Sequence, residues 1–187
     1  MSTGTIIIIV VVVIIVIIGL YILSLYNKLV RLTNKIEEAF STMDVYLKKR
    51  WDLIPNLLET TKGYMKHEKE VLTELTDLRK KGYDKLSNEE KIQTNEKMST
   101  GLEKLMAVAE NYPDLKANTN FQQLSSNLTK VEEDIANARK YYNGTVRTYN
   151  DTVEMFPSNI IAKKFGYTTK EMFEVDEKER ENVQVKF

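Results

Sequence analysis

Thirteen consecutive isoleucine and valine residues, from Ile6 to Ile18, constrain this chain more than any other segment. The apolar run continues to Leu25, and the first charged side chain is Lys28. A helix over residues 6–25 is roughly 30 Å long, which matches the hydrocarbon thickness of a bilayer. Because unpaired backbone groups are too costly in lipid, a lone segment there has to be helical. The sequence therefore predicts a transmembrane helix over residues 6–26.

Three other interpretations of the apolar segment fit the residues less well. A cleaved signal peptide needs a basic N-terminal region, a shorter apolar core and a small-residue cleavage site. Residues 1–5 carry no Lys or Arg, and no Ala-x-Ala motif follows the run. A lipoprotein anchor needs a cysteine, and the sequence has none. A buried core helix is normally shorter and mixed with polar residues, so we expect the segment to span the membrane.

The charges that flank the span predict its orientation. Three basic residues follow it directly, and none precedes it. The positive-inside rule then predicts an extracytoplasmic stub over residues 1–5 and a cytoplasmic domain, in a single-pass protein of the cell membrane. Two tyrosines lie where aromatic side chains meet the interface, and the basic residues either set topology alone or also attract anionic headgroups. The membrane-interface candidates are Tyr21, Tyr26, Lys28, Arg31 and Lys35.

The composition of residues 27–187 excludes several classes of function. All 27 basic and all 27 acidic side chains lie there, so this part of the chain is net neutral. A neutral domain lacks the basic face of a nucleic-acid-binding protein, and we expect no nucleic-acid partner. The absence of cysteine excludes disulfides, thiolate metal sites and cysteine nucleophiles. Three prolines and seven glycines leave little material for turns, which favours a helical domain.

The first part of this domain reads as two helical segments around a proline. Apolar residues recur at steps of three and four from residue 25 to 54, which predicts an amphipathic helix continuing from the span without a break. A second stripe runs from Leu58 to Leu78 and ends before Gly82. The phase of the stripe carries across Pro55. These residues therefore leave two alternatives open, a tight reversal at Pro55 or a single kinked helix.

Two further helices follow. Ser87 and Glu90 form a capping box that begins a third helix, which ends at Pro113. The fourth stripe, residues 121–156, extends over about five heptads and is ended by Pro157; residues 158–165 read as a short helix. Four helices with short loops predict an all-α fold. Its architecture is an N-terminal transmembrane helix followed by an antiparallel, up-and-down four-helix bundle over residues 27–173.

The last segment, residues 174–187, is rich in acidic side chains and is predicted to be a flexible tail. Val183, Val185 and Phe187 alternate along it. The alternative is therefore a strand that pairs with the edge of a partner.

Motifs for catalysis and metal binding are absent from the sequence. The single histidine, His67, precedes Glu68, but Val71 stands where a zinc-protease motif needs its second histidine. One histidine also excludes the paired Glu-x-x-His motifs of a di-iron bundle. Neither a phosphate-binding loop nor a dinucleotide-binding glycine motif occurs. We therefore expect no enzymatic activity, no bound metal and no cofactor.

Polar residues close to the apolar stripes are the remaining candidates for function. Buried polar groups need hydrogen-bond partners, and they either fix the register of helices or bind a partner. Asn143 and Asn150 are one heptad apart, and each directly follows a tyrosine. The segments 52–56 and 112–118 are the predicted partner-binding loops, both membrane-distal if the helices alternate in direction. The candidates for the two roles are Arg50, Asp52, Pro55, Asn56, Tyr112, Pro113, Lys116, Arg139 and Asn143.

Several motifs are distinctive enough to compare with known families. The clearest are Leu53-Ile54-Pro55-Asn56, Tyr112-Pro113-Asp114-Leu115-Lys116-Ala117 and Ala138-Arg139-x-x-Tyr142-Asn143. With these motifs the whole chain resembles the bacterial LemA family. The resemblance implies a single N-terminal span with its N-terminus outside and a four-helix cytoplasmic bundle, and it favours a reversal at Pro55. It implies no activity, but some relatives are tied to membrane-organelle formation in magnetotactic bacteria, which suggests a scaffold by analogy.

Together these observations predict a membrane-anchored helical-bundle protein without catalytic activity. We expect it to act as a scaffold or adaptor at the cytoplasmic face of the membrane. Its expected partners are the lipid bilayer and other membrane or cytoplasmic proteins. The alternative is a self-assembling homo-oligomer that organises or remodels the membrane.

Overall fold

The computed structural model describes residues 2–65 and 68–173, and within them the regular secondary structure is helical, with no strand. This confirms the all-α prediction. His67 and the predicted tail at residues 174–187 lie outside the described residues. A 3₁₀ turn covers Tyr83–Lys85, and the six α-helices are α1 (Thr3–Lys62), α2 (Lys69–Asp77), α3 (Asn88–Ala109), α4 (Pro113–Ala117), α5 (Thr119–Glu154) and α6 (Ser158–Lys164).

Helix α1 runs without interruption from the apolar segment through Pro55. Its continuation beyond residue 26 was predicted, and the structure confirms it. A proline inside a helix removes a backbone donor and crowds the preceding turn, at a cost of about 3 kcal/mol. Burial around it offsets this cost, since Ile54 and Leu57 are fully buried. The reversal at Pro55 that the family resemblance favoured is therefore wrong.

The chain leaves helical geometry after Lys62 instead, at Gly63, which has a poor helix propensity. The backbone N–H groups of Tyr64 and Met65 both donate to the carbonyl of Thr61, at 3.0 and 2.9 Å. The second predicted helix, residues 58–78, is therefore divided. Its first five residues end α1, and α2 contains only the nine residues Lys69–Asp77.

The later helices begin and end close to their predicted boundaries. The capping box before α3 is confirmed: the Ser87 N–H donates to Glu90 Oε2 at 2.8 Å, and the Glu90 N–H donates to Ser87 Oγ at 3.2 Å. Pro113, which was predicted to end the third helix, is the first residue of the short α4. Helix α6 was also predicted, and it ends just before Gly166, whose φ of 76° suits glycine.

The chain divides into two compact units. The terminal unit contains residues 1–40 and 140–187, and the central unit contains residues 41–139. In the terminal unit, the buried side chains on α1 and α5 are Leu29, Ile36, Ala39, Phe40, Tyr142, Thr145, Val146, Tyr149 and Thr152. In the central unit, the fully buried large side chains are Arg50, Met43, Ile54, Leu57, Leu75, Met98, Leu105, Leu115 and Val131.

The apolar segment of α1 is not covered by the rest of the described chain. The side chains from Ile6 to Ile18 are between 47% and 66% exposed. Among the described helices, α1 alone is long and apolar enough to cross a membrane, and its most apolar window is not buried at all. The structure therefore argues against a buried core helix, and the exposed segment fits a membrane location.

Alanine substitutions at two mid-helix glycines can test the packing of α3 against α2. A Cβ at Gly101 would lie 2.8 Å from Cδ2 of the fully buried Leu75, whereas one at Gly144 in α5 meets nothing within 4 Å. We expect Gly101→Ala to lower the free energy of unfolding by about 1 kcal/mol or more. The control Gly144→Ala should raise it by about 0.5–1 kcal/mol, because alanine favours helix. Thermal unfolding followed by circular dichroism in detergent micelles measures both changes; equal shifts would contradict the close approach.

Candidate functional site

The most deeply buried charged group of the described residues is the guanidinium of Arg50, which is 1% exposed. Its Nη1 donates to both carboxylate oxygens of Glu132, at 2.8 and 3.0 Å, and to Ser99 Oγ at 2.7 Å. Its Nη2 donates to the carbonyl oxygen of Asn95 at 2.9 Å and also to the side-chain oxygen of that residue. These four residues, the Arg50 cluster, join α1, α3 and α5 within the central unit.

The space beside the Arg50 cluster is too small for an organic ligand. A crevice lined by Arg50, Trp51, Tyr83 and Asn95 has room for about one water molecule. Ligand pockets are usually several hundred Å³ in volume. Within the described residues, Nε of Arg50 has no hydrogen-bond partner and is buried. The cluster therefore has the properties of a structural ion pair, in which Arg50 itself is closed to solvent.

A second polar network lies next to this crevice. The Tyr83 hydroxyl donates to Asp44 Oδ1 at 2.5 Å, and Lys91 Nζ lies 3.0 Å from the same carboxylate. Lys91 Nζ is also 4.7 Å from the centre of the Tyr83 ring, which packs edge-on against Trp51 at 5.4 Å. Burial, followed by the hydrogen bond to Asp44, raises the pKa of Tyr83 well above its usual value. The hydroxyl therefore stays protonated and acts as a donor.

Asp52 and Asn56, which were predicted in a loop with Pro55, lie on exposed turns of α1 instead. Asp52 pairs with Lys48 at 2.8 Å, one helical turn earlier. The Asn56 carbonyl accepts a hydrogen bond from the Thr60 hydroxyl at 2.8 Å. The prediction that residues 52–56 form a loop is therefore wrong, because the helix continues through Pro55.

The segment 112–118 contacts the turn after α1, whereas residues 52–56 lie within that helix. The side-chain amide of Asn118 donates to the Tyr64 hydroxyl at 3.1 Å. A hydrogen bond to the Glu68 carboxylate raises the pKa of Tyr112. Lys116 contacts Glu110 and is exposed to solvent. Pro113 and Lys116 of this region are exposed, and Tyr64, Glu68, Tyr112 and Asn118 are half-buried. We call these six residues the turn surface.

Asn143 and Asn150 each pair with the backbone of the segment that follows α6. The Asn143 side chain donates to the Phe173 carbonyl and accepts from the Phe173 N–H, both at 2.9 Å. Asn150 makes the same pair of hydrogen bonds with Lys170, again both at 2.9 Å. Each asparagine amide thus provides the donor and the acceptor that a neighbouring β-strand would offer.

The tyrosine before each asparagine extends this pattern. The Tyr142 hydroxyl donates to the Glu171 carbonyl at 3.4 Å, and the Tyr149 hydroxyl donates to the Thr168 carbonyl at 2.9 Å. Burial raises the pKa of both tyrosines, so both hydroxyls stay protonated. Each Tyr-Asn pair therefore binds two residues of the segment 168–173, which we call the strap. We call the two pairs on α5 the Tyr-Asn track.

The spacing of the track matches the rise of an extended chain. Seven helical residues from Asn143 to Asn150 rise roughly 10.5 Å. Three extended residues from Lys170 to Phe173 cover roughly 10 Å. Phe173 anchors the end of the strap, since it is buried and its ring packs edge-on against Tyr142 at 5.4 Å. The sequence signal was the heptad repeat of Tyr-Asn, but only the structure shows that its partner is the backbone 20 to 30 residues later.

The remaining predicted residues lie in separate places. Arg139 is half-buried on α5 and has an interaction partner. Tyr26 is half-buried, with its ring centre 4.9 Å from that of Phe165 and 6.4 Å from that of Tyr167. The other membrane-interface candidates are exposed side chains of α1: Tyr21, Lys28, Arg31 and Lys35.

The fold and these clusters define a helical protein with one exposed apolar N-terminal helix and a domain whose buried polar groups hold its helices in register. The model of the LemA family matches residues 39–187, so the chain belongs to the LemA family. Protein LemA of Metamycoplasma hominis is 27% identical over 162 residues, which is 84% of this chain and 72% of that relative.

Two magnetosome proteins are also similar. MamQ 2 of Paramagnetospirillum magneticum is 23% identical over 175 residues, 80% of this chain and 64% of that protein. MamQ of Magnetospirillum gryphiswaldense is 22% identical over 174 residues, 79% of this chain and again 64% of the relative. The chain thus spans slightly less than two thirds of these relatives. Together with the apolar helix, the relatives fit a membrane-associated protein.

The Arg50 cluster should contribute strongly to stability. We expect Arg50→Ala to lower the free energy of unfolding by about 3 kcal/mol, since it removes a buried ion pair and leaves a cavity. Arg50→Met should lose less, because it keeps most of the volume. Lys48→Ala, on the same helix, removes only an exposed pair and should cost about 0.5 kcal/mol or less. Chemical unfolding in detergent measures all three; similar losses for Arg50→Ala and Lys48→Ala would exclude a structural role.

Loss of one asparagine from the track should release the strap. We expect Asn143→Ala to accelerate amide exchange at Phe173 by about tenfold or more, because two hydrogen bonds of roughly 1 kcal/mol each are removed. Hydrogen–deuterium exchange with mass spectrometry measures this rate. The matched control is Asn137→Ala, an exposed asparagine on the same helix, which should leave the strap protected. Unchanged exchange in Asn143→Ala would show that the hydrogen bonds of Asn143 are not needed to hold the strap.

Proposed function

We propose that this chain is a membrane-anchored scaffold or adaptor without catalytic activity, which works at the cytoplasmic face of the membrane. Residues 6–26 of α1 form its anchor, with the N-terminus outside. Helices α1, α2, α3 and α5 are the four members of an antiparallel, up-and-down bundle. The names of the magnetosome relatives support a role at a membrane.

The observation that carries this proposal is the continuity of α1. One helix contains the exposed apolar segment and also supplies buried residues to both units, from Leu29 to Thr61. No flexible linker separates the predicted anchor from the folded domain. A partner bound to the domain is therefore joined to the anchor through one continuous helix rather than through a flexible tether.

The turn surface is the proposed site of partner binding. It combines an aromatic side chain, Tyr112, with an exposed lysine and a proline at the start of α4. Aromatic side chains beside polar groups are enriched in protein interfaces. Arg50, by contrast, sets the helix register from the interior.

Self-assembly is the second candidate function, and the Tyr-Asn track favours it. Of the six hydrogen bonds that join the track side chains to the strap, five are 2.9 Å long, and all six involve the strap backbone. Backbone recognition places little demand on the strap side chains. The strap of a second copy therefore fits the same track, which is the geometry of a domain swap.

Site-specific photo-crosslinking in native membranes separates these two functions. A photoreactive amino acid at Lys116 in the full-length protein should yield a discrete adduct with a second protein, which mass spectrometry identifies. The matched control is Lys104, which is 51% exposed against 47% for Lys116 and pairs with Glu74 away from the turn surface. The control should give no such adduct.

The pattern of adducts decides between the proposals. An adduct that also needs Tyr112, and disappears in Tyr112→Ala, supports the turn surface as the binding site. Adducts of the chain only with itself favour the self-assembling scaffold. Equal capture at positions 104 and 116 would contradict a specific site at the turn surface.

A further inference from the structure

The corner between α5 and α6 exposes four large apolar side chains. Phe156 is 79% exposed, Met155 63%, Ile160 59% and Phe165 49%. They lie within eleven consecutive residues, 155–165, which we call the corner. A group of large apolar side chains on the surface of a folded unit commonly marks a binding site or a membrane contact.

The corner is a folded element, because its other side is well packed. Ser158, Ile161 and Ala162 are buried, and Ser158 Oγ donates to the Met155 carbonyl at 2.9 Å. At the end of α6, the Tyr167 N–H donates to the Ala162 carbonyl at 2.9 Å. Ile160 therefore lies on the outer side of a short amphipathic helix, which Met155 and Phe156 precede and Phe165 directly follows.

Two ring contacts in the terminal unit fix the position of the corner along α1. Phe40 packs edge-on against Tyr142 at 6.0 Å, and Tyr26 contacts Phe165 at 4.9 Å. The chain from Tyr142 to Phe165 therefore runs antiparallel to α1 within this unit. Fourteen residues from Phe40 back to Tyr26 span roughly 21 Å, as do fourteen from Tyr142 forward to Phe156. Phe156 thus lies at the level of Tyr26.

Tyr26 is also the point at which the apolar segment of α1 ends. Ile22 and Leu25 just before it are half-buried, whereas Leu20 and Leu23 are exposed like the rest of the segment. Lys28 follows two residues later. The corner therefore lies beside the boundary between the apolar segment and the charged part of the chain.

The basic residues of the corner fit the same boundary. Lys163 and Lys164, in the last turn of α6, are exposed next to Phe165. Lysines beside apolar side chains can reach into the headgroup region while the apolar groups enter the acyl boundary. Aromatic rings such as those of Phe165 and Tyr167 are common at this depth.

We propose that the corner is a second membrane-contact site, in which Met155, Phe156, Ile160 and Phe165 insert into the lipid interface beside the span. This rests on the proposed anchoring of α1 in the membrane. The occupant of the apolar corner is the bilayer, because the corner is continuous with the end of the apolar segment. Two contacts with the bilayer, one by α1 and one by the corner, fix the rotation of the domain about α1, which a single span leaves free.

Spin labels on single cysteines in the full-length protein test this proposal, since the chain has no native cysteine. The protein is reconstituted into vesicles of phosphatidylethanolamine and phosphatidylglycerol. The accessibility of each label to oxygen and to a water-soluble nickel chelate is measured by power saturation. Labels at Phe156→Cys and Ile160→Cys report the corner, and Val13→Cys reports the span.

Tyr141→Cys is the matched control for depth. It is an exposed aromatic position of the same unit, fifteen residues from Phe156 on α5 and so roughly 22 Å farther along the helix. We expect the ratio of oxygen to nickel accessibility at Phe156 and Ile160 to exceed that at Tyr141 at least about threefold and to approach that at Val13. Circular dichroism confirms that each variant keeps its helix content.

The two proposals fail in different ways. If Val13 is in lipid but both corner positions are as open to the nickel chelate as Tyr141, the corner does not contact the membrane, and the anchor stands. If Val13 itself is open to the chelate, the anchoring proposal is wrong, and the inference falls with it. If the ratio of oxygen to nickel accessibility is high at Ile160 but not at Phe156, α6 lies in the interface and Phe156 does not. That result would overturn the proposal that the whole corner inserts.

Discussion

The structure depends on one constraint, which is that a backbone without water must satisfy its own hydrogen bonds. The apolar segment meets it as a helix, and that helix does not stop where the apolar residues do. It continues to Lys62 and supplies core residues to both units, so its direction is imposed on everything that packs against it. Even Pro55 does not end it, because burial on both sides of the proline outweighs the lost backbone bond.

Each unit contains a cluster of hydrogen-bonded polar groups. In the central unit, Arg50 reaches α3 and α5 with one buried guanidinium. In the terminal unit, two asparagines on α5 form hydrogen bonds with strap residues that lie three positions apart. Apolar packing alone tolerates sliding of one helix on another, whereas an unpaired buried donor costs about 1–3 kcal/mol. These clusters therefore favour one arrangement of helices within each unit, and the turn surface and the corner lie outside them.

Local signals explain which elements the sequence predicts correctly. The capping box of α3 and the helix α6 depend on residues within one or two turns of each other, whereas the short α4, which begins at Pro113, was not predicted. The predicted break at Pro55 failed because a proline is only a local cost, and the opposing burial of Ile54 and Leu57 comes from distant residues. The true turn after Lys62 carries a weaker signal, a single glycine, and its contact between Tyr64 and Asn118 joins residues far apart in the chain.

The amino-acid sequence by itself determined the helical class, the apolar N-terminal segment and most helix boundaries, because periodicity and capping act over a few residues. It also marked Arg50, Asn143 and Asn150 as unusual polar residues beside apolar stripes. Only the tertiary structure decided what those residues do. Arg50 is an interior ion pair and the asparagines hold a strap, since a polar side chain takes its role from the groups that burial brings within hydrogen-bond distance.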